Sequence, residues 1–242
     1  ADYSSHCWGN IWINAENARI RCKKIKTIFM KNISIVFNAR VSSTRVPNKL
    51  LRPFANSSLF EIALKKLSKA RFVDNVYVGI GDEELIEIAK KYPNIKILRR
   101  EKDAIKKGTH DQRITFRHYG LIETDYIMVV NPCQPLLSLE TLERAINHFK
   151  TVDAISYTAG IKTGDWIFNS NGEALTIVDK NNVTTNKDTS FYKGCHSFHI
   201  INKNLFIKNG YHWEFKKNDP ALILVPENEI YDVDSIIDFD YT

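Results

Sequence analysis

Apolar residues fall along this chain in two rhythms. Four short runs, 33–37 (ISIVF), 76–80 (VYVGI), 95–98 (IKIL) and 126–130 (YIMVV), are rich in β-branched residues and read as buried strands. Between them, apolar residues return every three or four positions. Leu59, Ile62, Ala63, Leu64 and Leu67 mark one amphipathic helix, and Leu85, Ile86, Ile88 and Ala89 mark another over 83–91. Ser58 and Glu61 have the form of a capping box at the first of these. A helix is also expected over 111–123, with Ile114, Tyr119 and Ile122 among its apolar positions. Ser138 should cap another, which runs through 149 on Leu139, Leu142, Ala145, Ile146 and Phe149. Strands alternating with helices across short loops predict an α/β domain with a mostly parallel sheet.

Past residue 153 the rhythm changes. Residues 154–158 predict a strand, and 166–168 with 174–178 predict a hairpin around Asn169, Ser170, Asn171 and Gly172. A polar loop at 179–188 leads to a strand over 191–201, so 154–201 reads as a small β-rich insertion. A helix over 203–209, closed by Gly210, and a strand over 222–225 follow. His196 and His199 invite a metal reading. On a regular strand, residues three apart face opposite sides, so a core or surface role is expected for both.

The polar breaks carry the chemistry. Directly after 33–37 come Asn38, Ala39, Arg40, Ser42, Ser43, Thr44, Arg45, Asn48 and Lys49. A loop leaving the C-terminal end of a buried strand is where α/β folds place ligands. Three cations and several hydroxyls suit a polyphosphate, and Pro47 limits the ordering entropy lost on binding. The alternative is a solvated basic loop. After 126–130, the run Asn131, Pro132, Cys133, Gln134, Pro135 should form a rigid non-regular turn. Near the end, Asp232 and Asp234 flank Val233. In an extended segment both carboxylates lie on one face, as a Mg²⁺ ion carrying a triphosphate requires.

Composition narrows the class. The 242 residues are 43% hydrophobic, enough for a sizeable core. Net charge is +6, a spread excess that suits an anionic small ligand about as well as nucleic acid. No apolar run reaches membrane-spanning length. Cys7, Cys22, Cys133 and Cys195 show no CxxC spacing, which argues against a zinc site and for a reducing cytoplasm. Residues 1–29 show no sustained period and carry a basic patch from Arg19 to Lys26. They are expected to be an extension outside the fold, with Met30 as the natural start and the domain at 30–242. A basic arm for an acidic partner is the alternative. A helix starting at Ser235 is expected to be cut short at Thr242.

The run from Ala39 to Phe54 (ARVSSTRVPNKLLRPF) resembles the N-terminal signature of the sugar cytidylyltransferases. That family includes the acylneuraminate, KDO and spore-coat-polysaccharide types. Arg40, Ser43, Arg45, Pro47 and Lys49 match, and Ser42 replaces the usual Gly. The resemblance implies a Rossmann-like nucleotidyltransferase (GT-A-like) fold. It further implies catalytic roles for Arg40, Arg45 and Lys49, and nucleotide contacts from Ala39, Arg40, Ser43, Arg45, Asn48 and Lys49. In the family an arginine after the third strand helps hold the nucleotide. Arg99 and Arg100 both stand there; the choice between them is open, Arg100 is carried as the candidate, and a surface basic pair is the alternative. The 131–138 turn resembles the Q-P-T-S-P-L loop of the acylneuraminate branch. By that likeness Asn131 and Pro132 border the nucleotide and Gln134 the sugar. Cys133 occupies the position where other branches carry an acidic residue, and is read as a small buried hydrophobe. Asp232 and Asp234 match the late I-D-x-D motif that holds Mg²⁺. Departures include Gly79-Ile80-Gly81 for the usual Ser-Thr-Asp and Lys193-Gly194 for the usual Asn-Gly.

The expected function is therefore transfer of CMP from CTP to a hydroxyl of an acidic or unusual sugar, releasing pyrophosphate. The expected partners are CTP, a sugar acid and a second copy of the chain in a homodimer, with no nucleic acid and no membrane. A metal-dependent GT-A glycosyltransferase is one alternative, though it leaves the 40–49 loop unexplained. A non-catalytic nucleotide-binding module is the other, and the Asp pair speaks against it.

Overall fold

The computed structural model of the chain describes residues 31–105, 111–176 and 191–241. The expected extension at 1–29 and the polar loop at 179–188 lie outside the described residues. Strand β1 (Ile33–Ala39) is central to the main sheet and buried on both faces. Its odd positions, Ile33, Ile35 and Phe37, pack into a large cluster with helices α1 (Leu59–Leu67), α2 (Glu83–Ala89) and α5 (Leu139–Thr151). Val36 points the other way, into a smaller cluster with Tyr77, Tyr119, Ile127 and Phe206. Strand periodicity thus builds a three-layer domain from one apolar run. Leu64 on α1 is fully buried, so Leu64→Ala should cost about 2–5 kcal/mol.

The seven-stranded sheet runs β5-β4-β1-β6-β8-β7-β9. It comprises β4 (Val76–Ile80), β5 (Lys96–Arg99), β6 (Tyr126–Val130), β7 (Tyr157–Lys162), β8 (Tyr192–Asn202) and β9 (Ala221–Leu224). The pairings β1–β4, β4–β5, β1–β6 and β7–β9 are parallel, and β8 is antiparallel to both neighbours. The α/β class with a mostly parallel sheet is as expected. The 154–201 segment feeds β7 and β8 into this sheet. Its outlying part is a short ladder in which Phe168 bridges Ala174. A separate two-stranded ribbon, β2 (Pro53–Phe54) with β3 (Ser57–Ser58), leads into α1.

Local signals held where chemistry was local. Ser58 caps α1, accepting from Glu61 N at 3.2 Å, and Ser138 caps α5, accepting from Thr141 N at 3.1 Å. Helix α6 (Lys203–Asn209) ends on Gly210 at φ 79, the left-handed region glycine adopts without strain. At the far end of α5, Lys31 Nζ donates to the carbonyls of Phe149, Val152 and Ala154 at 3.1, 2.8 and 2.9 Å, satisfying groups the helix leaves open.

Other expectations need correction. The helix expected over 111–123 is a short α4 (Gln112–Thr115) followed by a 3₁₀ segment (Arg117–Leu121). Phe116 leaves helical geometry at φ −116, ψ 26, and its ring stacks on Tyr119 at 5.1 Å. The strand expected at 154–158 starts at Tyr157. Upstream, Ile155 N bonds Asn218 O, and Ser156 Oγ bonds Asp219 Oδ1 at 2.6 Å. The face argument for His196 and His199 also fails. The β7–β8 register shifts between Thr158 and Gly160, and His196 sits at φ 51. That bulge brings the two rings to 5.5 Å. Yet His199 Nδ1 is bonded to Thr158 Oγ1 at 2.8 Å. Among the described residues, no cluster of three or more His, Cys, Asp or Glu side chains could hold a metal.

Candidate active site

Strand order changes direction at β1. Strands β4 and β5 lie to one side and β6 to the other, so the loops leaving β1 and β6 part and open a crevice. A cavity of about 290 Å³ fills it, lined by Asn38, Arg40, Ser43, Arg45 and Lys49 from the first loop and by Asn131, Pro132 and Cys133 from the second, among others.

The first loop is held to the core beneath it. Val46 and Leu50 are buried, Lys49 N donates to Val46 O, and the N–H groups of Leu51 and Arg52 both donate to Asn48 O. Asn48 takes φ 54, which asparagine tolerates, and its side chain is exposed away from the cavity. Asp82, ahead of α2, accepts from Val41 N at 2.9 Å. Ala39 is buried at the end of β1. Asn38 is fixed from both ends of its amide. It donates to Tyr119 Oη at 2.8 Å, and its oxygen meets His118 Nε2 at 2.7 Å. Burial drives His118 down to about 3, so the ring is neutral and Nε2 carries the proton given to Asn38. A side chain at Gly79 would strike His118 Nε2 at 2.4 Å and Asn38 Oδ1 at 2.5 Å, so the glycine there makes room for this bond.

The carboxylates arrive from the far end of the chain. Asp234 accepts from Arg45 Nη1 at 2.7 Å and from Lys49 Nζ at 2.9 Å. Arg45 is 69% exposed and its pair contributes little, whereas the Lys49 side chain is only 13% exposed. Burial works to lower Lys49, but Cys133 and Asp234 outweigh it and hold the ammonium above its usual range. Burial also raises the Cys133 thiol, against the pull of Lys49. Asp232 Oδ2 accepts from Asn131 Nδ2 at 3.1 Å, while its Oδ1 is buried with no hydrogen-bond partner. Burial, then the nearby Asp234, push the Asp232 carboxyl upward. The segment is not a strand; Val233 is anchored by its N–H to Cys133 O at 2.9 Å and by a fully buried side chain. Asp234 nevertheless faces the 40–49 loop, while Asp232 is bonded to the second loop through Asn131.

Some expected residues lie apart. Arg99 is exposed and paired with Glu83. Arg100 is buried, its Nη2 donating to the carbonyls of Ala104 at 3.0 Å and Thr115 at 3.1 Å, and neither arginine lines the cavity. Gln134 is buried beneath the second loop. Its Nε2 donates to Cys195 O at 2.9 Å and its Oε1 has no partner. Sequence reading missed the Asn38–His118–Tyr119 support, since nothing local links residues 80 positions apart.

Residues 34–218 match the family model described as cytidylyltransferase. The 3-deoxy-manno-octulosonate cytidylyltransferase of Francisella tularensis is 29% identical over 156 residues, 63% of this chain and 61% of that protein. A second such protein, from Hydrogenovibrio crunogenus, is 25% identical over 173 residues, 71% of this chain and 64% of its own length. The chain thus spans less than two thirds of these relatives. Among solved structures, 4-diphosphocytidyl-2C-methyl-D-erythritol synthase from Anaerococcus prevotii superposes with TM-score 0.64 at 18% identity, over 89% of this chain and 96% of that one. CMP:2-keto-3-deoxy-manno-octonic acid synthetase complexed with CTP gives TM-score 0.62 at 12% identity, over 87% and 96%. At such identities these two establish the fold alone.

Proposed function

The chain belongs to the cytidylyltransferase family, and from that premise we propose that it transfers CMP from CTP to a hydroxyl of an acidic sugar and releases pyrophosphate. The observation that carries this reading is the meeting of Lys49 and Arg45 with Asp234 at the mouth of the crevice. Before ligand binds, the phosphate-binding cations and a carboxylate neutralise one another. A bound triphosphate would draw the cations to its oxygens and leave Asp234 free to hold a metal ion.

The acceptor hydroxyl attacks the α-phosphorus in line and passes its proton to water as the new O–P bond forms, while the α–β phosphoanhydride bond breaks and pyrophosphate leaves with that electron pair. Arg40, Arg45 and Lys49 hold the phosphates and take up charge that grows on the leaving group. Ala39, Ser43 and Asn48 shape the loop around them. Asn131 and Pro132 wall the other side and keep the nucleotide in register. Arg100 is kept as the further candidate for a nucleotide contact and Gln134 for a sugar contact, although both side chains are buried here and neither lines the cavity. The residues present fit Mg²⁺: Asp232 keeps a buried oxygen without a partner, and Asp234 lies next to it. Asp232 and Asp234 would hold the ion, and when bound Mg²⁺ would offset triphosphate charge.

A second copy of the chain is proposed to cover the β7–β9 end, where Trp166, Phe168, Leu175, Leu222 and Leu224 are exposed. Sedimentation as a monomer at micromolar concentration would remove that part. Among the described residues no helix is long and apolar enough to cross a membrane. The free Cys133 and Cys195 fit a reducing, cytoplasmic setting. The main test is a thermal-shift series with the four nucleoside triphosphates and Mg²⁺, followed by pyrophosphate release from CTP with a panel of sugar acids. CTP should give the largest shift. Absence of both a nucleotide shift and pyrophosphate release would refute the reading.

A further inference from the structure

The 131–138 loop turns Asn131, Pro132 and Cys133 toward the cavity, and its opposite side is gripped from α1. Lys66 Nζ donates to the carbonyls of Gln134 at 3.4 Å, Pro135 at 3.0 Å and Leu137 at 2.5 Å. An ammonium has three protons, so this contact uses all of them. At Ser138 the chain faces the other way. Its N–H and its hydroxyl each donate to Glu229 at 3.0 Å. Two more bonds join the same loop to the segment after Glu229: Asn131 Nδ2 to Asp232 Oδ2, and Val233 N to Cys133 O. Loop and C-terminal segment are therefore one hydrogen-bonded unit, and Lys66 ties that unit to the helix that follows the phosphate loop.

We propose that Lys66 is a positioning residue of this site: by holding three carbonyls of the 131–138 loop it sets where Asn131, and through it Asp232, stand relative to Arg45 and Lys49. This rests on the CMP-transfer reading. Lys66 is mostly buried and, among the described residues, makes no ion pair within the usual contact distance. Burial lowers it to about 8, against the pull of Glu229. The fold thus keeps a charge that an apolar side chain would spare it, which points to a task beyond packing. Lys31 provides the contrast. It also bonds three carbonyls, but at the end of α5, with no link to the cavity.

The test compares Lys66→Met, Lys66→Arg and Lys31→Met by amide hydrogen exchange and by kinetics with CTP. Lys66→Met should speed exchange within 131–138 and 229–233 while the sheet stays protected. Its kcat should fall roughly ten-fold or more, with KM for CTP within about three-fold, because the phosphate loop is intact. Lys66→Arg should recover part of kcat. Lys31→Met should lower Tm and leave kcat unchanged. The proposal is overturned if exchange in Lys66→Met rises evenly across the domain. It is also overturned if kcat per folded molecule is unchanged, or if both Lys66 variants fail to fold while Lys31→Met folds. A wild-type protein that turns over no CTP would defeat the function reading instead, and the exchange contrast would still decide what Lys66 holds.

Discussion

The two sides of the sheet treat polar groups in opposite ways. Where β1 and β6 part, charges gather at the rim and are paired with one another, so each pair can be exchanged for a ligand. Lys49 and Arg45 on Asp234 are the example. Toward β8 and β7, polar groups are buried in neutral form and bonded for good. His199 is fixed to Thr158 and packs edge-on against Trp213 at 4.7 Å. His212 stacks on Phe206 at 5.1 Å. Removing a charge at the rim should damage chemistry more than stability. Removing a polar group from the other side should do the reverse.

The largest effect is expected at the carboxylates. Asp232→Asn or Asp234→Asn keeps size but weakens a hold on a hard cation. Pyrophosphate release with Mg²⁺ should fall by about a hundred-fold or more, roughly 3 kcal/mol of transition-state stabilisation. The urea midpoint should barely move. An Asp234→Asn protein with full Mg²⁺-dependent activity would break the contrast at its centre.

Acid sharpens the other side. Burial lowers His199 to about 3 and His212 to about 4, from an ordinary 6.5, and His118 beside β1, also at about 3, adds a like contribution from the cavity side. The unfolded chain takes up these protons first as pH falls. The contribution of each histidine is therefore complete above about pH 6.5 and shrinks toward pH 4, by up to about 1.4 kcal/mol per pH unit. Urea midpoints at pH 7 and pH 5 measure the slope, and His199→Gln should flatten it without altering CTP affinity at pH 7.

A smaller change is expected at the cations. Lys49→Ala should weaken CTP binding roughly ten-fold, about 1.4 kcal/mol, with or without Mg²⁺. Arg45→Ala should cost less, because its side chain is 69% exposed. Isothermal titration ranks the two, and the opposite order would show that exposure does not govern this loop. The smallest effect should follow deletion of residues 1–29. That stretch has no sustained period, and the family match begins at residue 34. Tm should stay almost unchanged; a large fall would place the stretch in the core.

Much of this was legible in one dimension. The β1 run, the Ser58 and Ser138 caps, the helix closed by Gly210 and the cation loop all depend on neighbours within a few residues, and their physics is written in spacing. The Asp pair was legible as chemistry, but its seat was not. Asp234 reaches Lys49 across 185 positions, and Val233 is pinned to Cys133 across 100, links that no local spacing announces. The bulge at His196 undid an alternation that a flat strand would have kept. Arg100 lies inward, its Nη2 bonded to two carbonyls that are 4 and 15 positions away, a placement that the adjacent pair Arg99 and Arg100 does not announce. By itself the sequence determined which segments become strands and helices and which loops carry charge. Only the tertiary structure decided which charges meet and which buried donors find partners, since those choices depend on groups far apart in the chain sharing one small, poorly solvated space.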